Sequence, residues 1–176
     1  MSEPEPLRLH IGGHEIRPGW RIFDIRPGPG VDYVGDCRDL SRFADASVEA
    51  IYASHVLEHL GFQQDIHTAL REFHRVLRPG GELRASVPDF EVMCRLFLDP
   101  ALTAQERLHV MMMTFGEQTH EHDFHKVGLN WEFLASFLVQ AGFSEVHRVD
   151  EHGMFDDASG GRAYGRLISL NVRAVK

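Results

Sequence analysis

The chain has 176 residues, of which 43% are hydrophobic and 25% are charged, and its formal net charge at pH 7 is -8. These values are typical of a globular protein, and the length fits a single domain, residues 1–176, that can bury a core without disulfides. The acidic balance, without any block of Lys and Arg, argues against nucleic acid as a partner and against binding to an anionic membrane surface.

The cysteines and the first residues bear on the cellular compartment. Cys37 and Cys94 are far apart and form no CxxC pair, so neither a zinc ribbon nor a disulfide framework is expected. Residues 1–6 lack an apolar run, and no segment has the roughly 18 apolar residues that a membrane span needs. We therefore expect a cytoplasmic protein without a membrane partner; the sequence does not indicate its oligomeric state.

Four short strands are predicted in the first third of the chain. Apolar and polar residues alternate over 7–11, and strand formers follow at 20–25, 31–34 and 49–53. A βαβ crossover needs about 10 to 12 residues in total, and fewer separate the first two strands. The first crossover helix should therefore be short or missing. After the fourth strand, a helix is expected to start at Ser54.

The rest of the chain alternates helical apolar periods with short runs of strand formers. The predicted helices are 65–77, 90–98, 103–114 and 131–140, and the predicted strands are 82–87, 146–149 and 167–175. Asn130 is expected to cap the last helix. This order predicts an α/β domain with a mostly parallel sheet and an antiparallel edge.

Five motifs in this order resemble class I S-adenosylmethionine-dependent methyltransferases, in particular the small bacterial branch of the methyltransferase-11 type. The motifs occupy residues 9–14, 23–25, 35–37, 51–59 and 75–81. The resemblance covers nearly the whole chain. It implies a Rossmann-like fold whose mostly parallel sheet has seven strands, with the last strand antiparallel.

The resemblance also implies S-adenosyl-L-methionine as the cofactor. Glycines after the first strand would let the backbone approach its methionine part, and an aspartate after the second would accept the ribose hydroxyls. The cofactor-binding residues implied are Gly12, Gly13, His14, Asp24, Ile25, Asp36, Cys37, Ser54 and His55. The alternative is that Asp24 and Asp36 stabilise the turns after their strands by accepting backbone hydrogen bonds. His14 stands where the family usually has glycine, so it either crowds the cofactor or contacts its carboxylate.

Methyl transfer from a sulfonium requires alignment of the acceptor and, for a hydroxyl, removal of its proton. Histidine, with an ordinary pKa of about 6.5, is a suitable base. The candidate catalytic residues are His55, His59, Asp89 and His125. On a helix, His55, Glu58 and His59 would share one face.

Metal binding is an alternative for the same histidines. The pattern His55-x-x-Glu58-His59, with a distant His125, resembles the metal-binding helix of some methyltransferases, except that His55 replaces a glutamate. Imidazole and carboxylate together suit zinc, iron or manganese. The motif also occurs in relatives that need no metal. We therefore assign no metal ligand from the sequence and keep a divalent metal only as an alternative cofactor.

We therefore predict an S-adenosylmethionine-dependent methyltransferase acting on an oxygen or nitrogen of a small-molecule or saccharide acceptor. Residues 90–129 would form a helical cap that binds the acceptor. Two alternatives remain open: a catalytically silent module that binds S-adenosylmethionine or a nucleotide, motivated by His14, and a metal-dependent protein that uses the histidine cluster.

Overall fold

A seven-stranded sheet forms the centre of the computed structural model, which describes residues 6–176. Two further short strands form a separate hairpin. The strands are β1 (Leu7–Ile11), β2 (Arg21–Asp24), β3 (Val31–Val34), β4 (Val48–Ser54), β5 (Leu77–Pro88), β6 (Ser144–Val149), β7 (Arg162–Ala163), β8 (Arg166–Leu167) and β9 (Ser169–Val175). The helices are α1 (Asp65–Val76), α2 (Phe90–Phe97), α3 (Ala104–Phe115) and α4 (Trp131–Gln140).

The order of the strands in the main sheet is β3-β2-β1-β4-β5-β9-β6. The first five strands in the chain pair in parallel. β9 lies between β5 and β6 and is antiparallel to both. The predicted mostly parallel, seven-stranded sheet with an antiparallel last strand is therefore confirmed. None of the helices in the described part of the chain is long and apolar enough to cross a membrane.

Helices pack on one face of this sheet. α1 buries the stripe Ile66, Leu70 and Phe73 at a spacing of three to four residues, which is the period of one helix face. These side chains join Leu134 and Leu138 of α4 in the core over the apolar side of the strands. Fully burying a Leu, Ile or Phe side chain stabilises a fold by about 1.5 to 3 kcal/mol.

The opposite face of the sheet carries charged side chains on β5 and β9 and an aromatic cluster around Tyr52. The connections between β1 and β2, β2 and β3, and β3 and β4 contain no helix in the described residues, in agreement with the prediction that the first crossover helix is short or missing. Side chains alternate across a strand, and Glu82 on this face of β5 forms ion pairs with Arg84 and Arg173. Near the carboxyl ends of the strands, the segment 150–160 covers this face through Phe155, which contacts Tyr52.

The connection after β4 differs from the prediction. No α-helix starts at Ser54: His55 has a φ of 54°, in the left-handed region, and only a 3-10 turn, Leu57–His59, follows. α1 begins at Asp65. A left-handed residue directly after the strand redirects the chain, so a continuous helix cannot form there.

The N-terminus of α4 provides a test of local stability. Asn130 accepts a hydrogen bond from the backbone N–H of Phe133 at 3.0 Å, as the sequence predicts for a cap. Asn130→Ala should lower the free energy of unfolding by about 1 kcal/mol in urea titrations. Asn130→Ser keeps a capping oxygen and should stay close to wild type, whereas equal losses in both variants would contradict the assignment. Asn130 also donates to Glu91, and Glu91→Ala measures that exposed contact separately.

Candidate functional site

A cavity of about 590 Å³ lies where β1, β2 and β4 end at their carboxyl edges. In parallel α/β sheets this edge is where ligands bind, because the loops that follow the strands meet there. Loops after β1, β2, β3 and β4 form the floor and one wall. Residues 120–124 and Lys126 of the loop between α3 and α4, together with Asp157 and Ala158, complete the lining.

All the predicted cofactor-binding residues except Gly13 line this cavity. Gly12 has a φ of 69°, and its N–H donates to the carbonyl of Phe23 at 2.8 Å, which ties the first loop to β2. Gly13 has a different reason to be glycine. A Cβ there would lie 2.3 Å from Nδ1 of His10, so Gly13 makes room for a buried ring beneath the loop.

Asp24, at the end of β2, has one carboxylate oxygen engaged and one available. Its Oδ1 accepts the backbone N–H of Arg26 at 2.7 Å, a turn contact of the kind considered as the alternative role. Oδ2 has no hydrogen-bond partner among the described residues, and Asp24 is one of the residues that line the cavity. The turn contact and ligand binding are therefore compatible at this carboxylate.

Asp36, after β3, is more fully engaged. Arg38 Nε lies 3.0 Å from both carboxylate oxygens, and this side-chain contact holds the pKa of Asp36 below its usual range. Arg38 also reaches Asp65 at 2.8 Å. An adenine amino group would have to share Asp36 with this arginine. Next to it, burial raises the pKa of the Cys37 thiol to about 12, so Cys37 is a neutral wall of the cavity.

His55 is held in place by contacts at both ring nitrogens. Nε2 lies 3.0 Å from Ser169 Oγ, whose hydroxyl donates to the carbonyl of Ala158, and Nδ1 lies 3.3 Å from Glu58 Oε1. Burial alone would lower the pKa of His55, but the Glu58 carboxylate, together with Asp157 and the backbone of Ala158, more than offsets this effect and the pKa is raised. These contacts make His55 a fixed element at the end of β4.

Glu58, His59 and His125 come together beside the cavity, and His59 borders it. The rings of His59 and His125 have centroids 4.8 Å apart and are nearly perpendicular. The loop that carries His125 is attached here, because the Lys126 N–H donates to the Glu58 carbonyl at 2.7 Å. Burial lowers the pKa of His125. The structure thus brings the predicted residues together through a 3-10 turn and a distant loop, not through one helix face.

Asp89 lies elsewhere. Its carboxylate is buried and caps α2 by accepting the N–H of Glu91 at 3.1 Å, and its second oxygen pairs with Arg148 at 2.8 Å. It is not among the residues that line the cavity. An aspartate between a strand and a helix is the sequence pattern of an N-cap, so this role was readable from the sequence.

Several lining residues were not predicted from the sequence. Arg26 follows β2 and its Nη1 lies 3.2 Å from His120 Nε2, so two loops meet across the cavity. Asp157 reaches the cavity from a segment in which the sequence shows no motif. Its carboxylate accepts a hydrogen bond from the Tyr52 hydroxyl at 2.7 Å, which holds it in place. Contacts between residues so distant in the chain leave no local sequence signal.

The strand order, the glycine-containing first loop and carboxylates after β2 and β3 define an α/β protein of the class I methyltransferase fold. A family model described as "Methyltransferase domain" matches residues 22–85. No curated protein matches the sequence.

Solved structures share the fold over nearly the whole chain. The CurJ carbon methyltransferase has a TM-score of 0.60 and 17% identity over 99% of this chain and 50% of that one, so this chain spans about half its length. A methyltransferase from Thermotoga maritima has a TM-score of 0.57 and 18% identity, over 99% and 84% of the chains. The N-methyltransferase NodS from Bradyrhizobium japonicum, solved with S-adenosyl-L-homocysteine, has a TM-score of 0.59 and 17% identity, over 97% and 78%. The family model thus covers part of the chain, and the solved structures show that the whole chain has the class I methyltransferase fold.

Proposed function

We propose that the protein transfers the methyl group of S-adenosylmethionine to an oxygen or nitrogen of a small-molecule acceptor, with saccharides as one acceptor class. The observation that carries this proposal is the cavity, because it collects the predicted cofactor residues of four separate loops at one edge of the sheet. The binding of S-adenosyl-L-homocysteine by NodS supports the same cofactor here.

The cofactor's position follows from the chemistry of the lining. The free Oδ2 of Asp24 is a charged acceptor suited to the ribose hydroxyls, and charged acceptors form the stronger hydrogen bonds. Gly12 leaves the backbone accessible beside the methionine part. His14 is exposed at the cavity, so its side chain contacts the ligand from the rim and does not fill the space. This supports the reading in which His14 meets the cofactor's carboxylate.

The acceptor would enter beside the loop between α3 and α4. His59 and Phe124 border the cavity there, and an imidazole and an aromatic ring suit a polar organic molecule. The cap of residues 90–129 has its own small core of Met93, Leu96 and Val110, which supports its role as a separate acceptor-binding unit. Of the proposed catalytic residues, His55 and His59 border the cavity and His125 contacts His59, whereas Asp89 has the capping role.

Calorimetric titration with S-adenosylmethionine and S-adenosyl-L-homocysteine tests the proposal. We expect micromolar dissociation constants, about -8 kcal/mol, for both ligands, and no comparable binding of NAD or ATP. Absence of binding by the folded protein would contradict the cofactor assignment. Transfer of an isotopically labelled methyl group across a panel of saccharides, amines and phenols then tests the acceptor. Binding without transfer to any of them would favour the silent module.

A further inference from the structure

The carboxylate of Glu58 is buried without a hydrogen-bond partner. The side chain is 1% exposed, and neither of its oxygens has a partner among the described residues. The neighbouring Nδ1 of His55, 3.3 Å from Oε1, lies at ion-pair distance but lacks the geometry of a hydrogen bond. A buried charge that is not fully compensated costs several kcal/mol, so this carboxylate is suited to a cation.

Two imidazoles next to Glu58 are held in the tautomer that binds a metal. His59 Nδ1 lies 3.2 Å from the carbonyl of Phe124, and His125 Nδ1 lies 3.2 Å from the carbonyl of Thr114. A carbonyl only accepts, so in both contacts Nδ1 donates and Nε2 keeps its lone pair. Neither Nε2 has a hydrogen-bond partner in residues 6–176. Metal-binding histidines in proteins are oriented in this way, with the second ring nitrogen donating to a carbonyl or carboxylate.

We infer that Glu58, His59 and His125 bind a divalent transition-metal ion, zinc, iron or manganese, at the wall of the cavity. One ligand atom from each residue lies within 4.8 Å of the others. Bonds of about 2.0 to 2.2 Å place the ligand atoms of one tetrahedral ion about 3.4 Å apart, so the three side chains would move closer together when the ion binds. Two neutral imidazoles and one carboxylate together carry a single negative charge. Such nitrogen and oxygen ligands are typical of first-row divalent ions, and three of them leave coordination positions for further ligands.

The position of the site connects it to the cavity. His59 is both a ligand and a lining residue, so a molecule in the cavity can reach an open coordination position. A hydroxyl bound to a divalent ion loses its proton more readily. This consequence rests on the proposed methyl transfer; metal binding itself does not.

Cobalt is a suitable probe because its visible absorption reports nitrogen and oxygen ligands directly. Chelator-treated protein, freed of chelator, should show saturable d–d bands on titration with Co²⁺, and Zn²⁺ should abolish them by displacement. Glu58→Gln keeps the shape of the side chain, and His125→Ala removes one ligand. Loss of a residue that only orients a metal ligand costs roughly 10- to 100-fold in metal affinity. Each of these two substitutions removes a ligand itself and should therefore weaken Co²⁺ binding by more than that.

Two controls separate this site from other histidines and from the cofactor site. His122→Ala, in the neighbouring loop, and His67→Ala, on α1, should bind Co²⁺ like wild type. His125→Ala should still bind S-adenosyl-L-homocysteine, because His125 does not line the cavity, and this also shows that the variant is folded. The inference is overturned if folded wild-type protein shows no cobalt bands, if binding persists in both ligand variants, or if His122→Ala abolishes it.

Discussion

Asp24→Ala should weaken binding of S-adenosylmethionine and S-adenosyl-L-homocysteine by about 100-fold in calorimetric titrations. Hydrogen bonds to a charged group contribute about 1.5 to 3 kcal/mol, and the free Oδ2 of Asp24 is placed to accept from the ribose. A factor of 100 corresponds to about 2.7 kcal/mol, within the range for one or two such bonds. The side chain adds little to the core, so the thermal unfolding midpoint should change little.

Asp39 provides the matched control. Its Oδ1 accepts the backbone N–H two residues ahead, from Ser41 at 3.0 Å, in the same turn geometry as Asp24, but it does not line the cavity. Asp39→Ala therefore removes a turn contact without removing a ligand contact, and cofactor affinity should remain at the wild-type level. Equal affinities in the Asp24 and Asp39 variants would refute the ribose role of Asp24.

The stability of the protein should fall as pH decreases from about 6.5 to 4, with His10 contributing about 3 kcal/mol to the loss. His10 is 4% exposed, its ring centroid lies 4.0 Å from that of Phe155, and burial lowers its pKa to about 4. The unfolded chain binds a proton at about pH 6.5, whereas the folded protein does so only near pH 4. The neutral ring therefore stabilises the fold fully above pH 6.5, and protonation of the unfolded state removes this contribution as pH falls.

Urea titrations between pH 4 and 7.5 on wild type and His10→Phe measure this effect. Phenylalanine keeps the aromatic contacts with Tyr52 and Phe155 and cannot bind a proton. Other groups titrate in both proteins, so the difference between the two curves isolates His10. We expect that difference to change by about 3 kcal/mol across the range. Parallel curves would contradict the role of His10.

The sequence predicted the features of the fold that depend on local spacing. Alternation predicted β1, a helical period predicted α1, the Asn130 cap predicted the start of α4, and the number of residues between β1 and β2 excluded a full crossover helix. The cofactor residues were also predictable, because loops after parallel strands meet at one edge whatever their detailed conformation.

The remaining features depend on tertiary contacts. His55 adopts a left-handed conformation, which is uncommon for residues other than glycine, and its ring contacts Ser169 of β9. The contact of Arg38 with Asp65 and the contact of Asp157 with Tyr52 also join side chains that are distant in the sequence, and no local pattern predicts them. Periodicity describes which face of an element is buried, and it does not describe which loops will cross the end of a sheet.

The position of β9 between β5 and β6 also sets an order of events during translation. β6 pairs with β9 in the described sheet, so residues 144–149 have no strand partner until residues 169–175 have left the ribosome. At about 5 to 20 residues per second, the nascent chain would expose the edge of β5 for seconds. Open strand edges promote aggregation, and charged side chains protect against it. The charged side chains of Glu82 and Arg84 on β5 would therefore oppose aggregation of the nascent chain through this edge until β9 pairs with it.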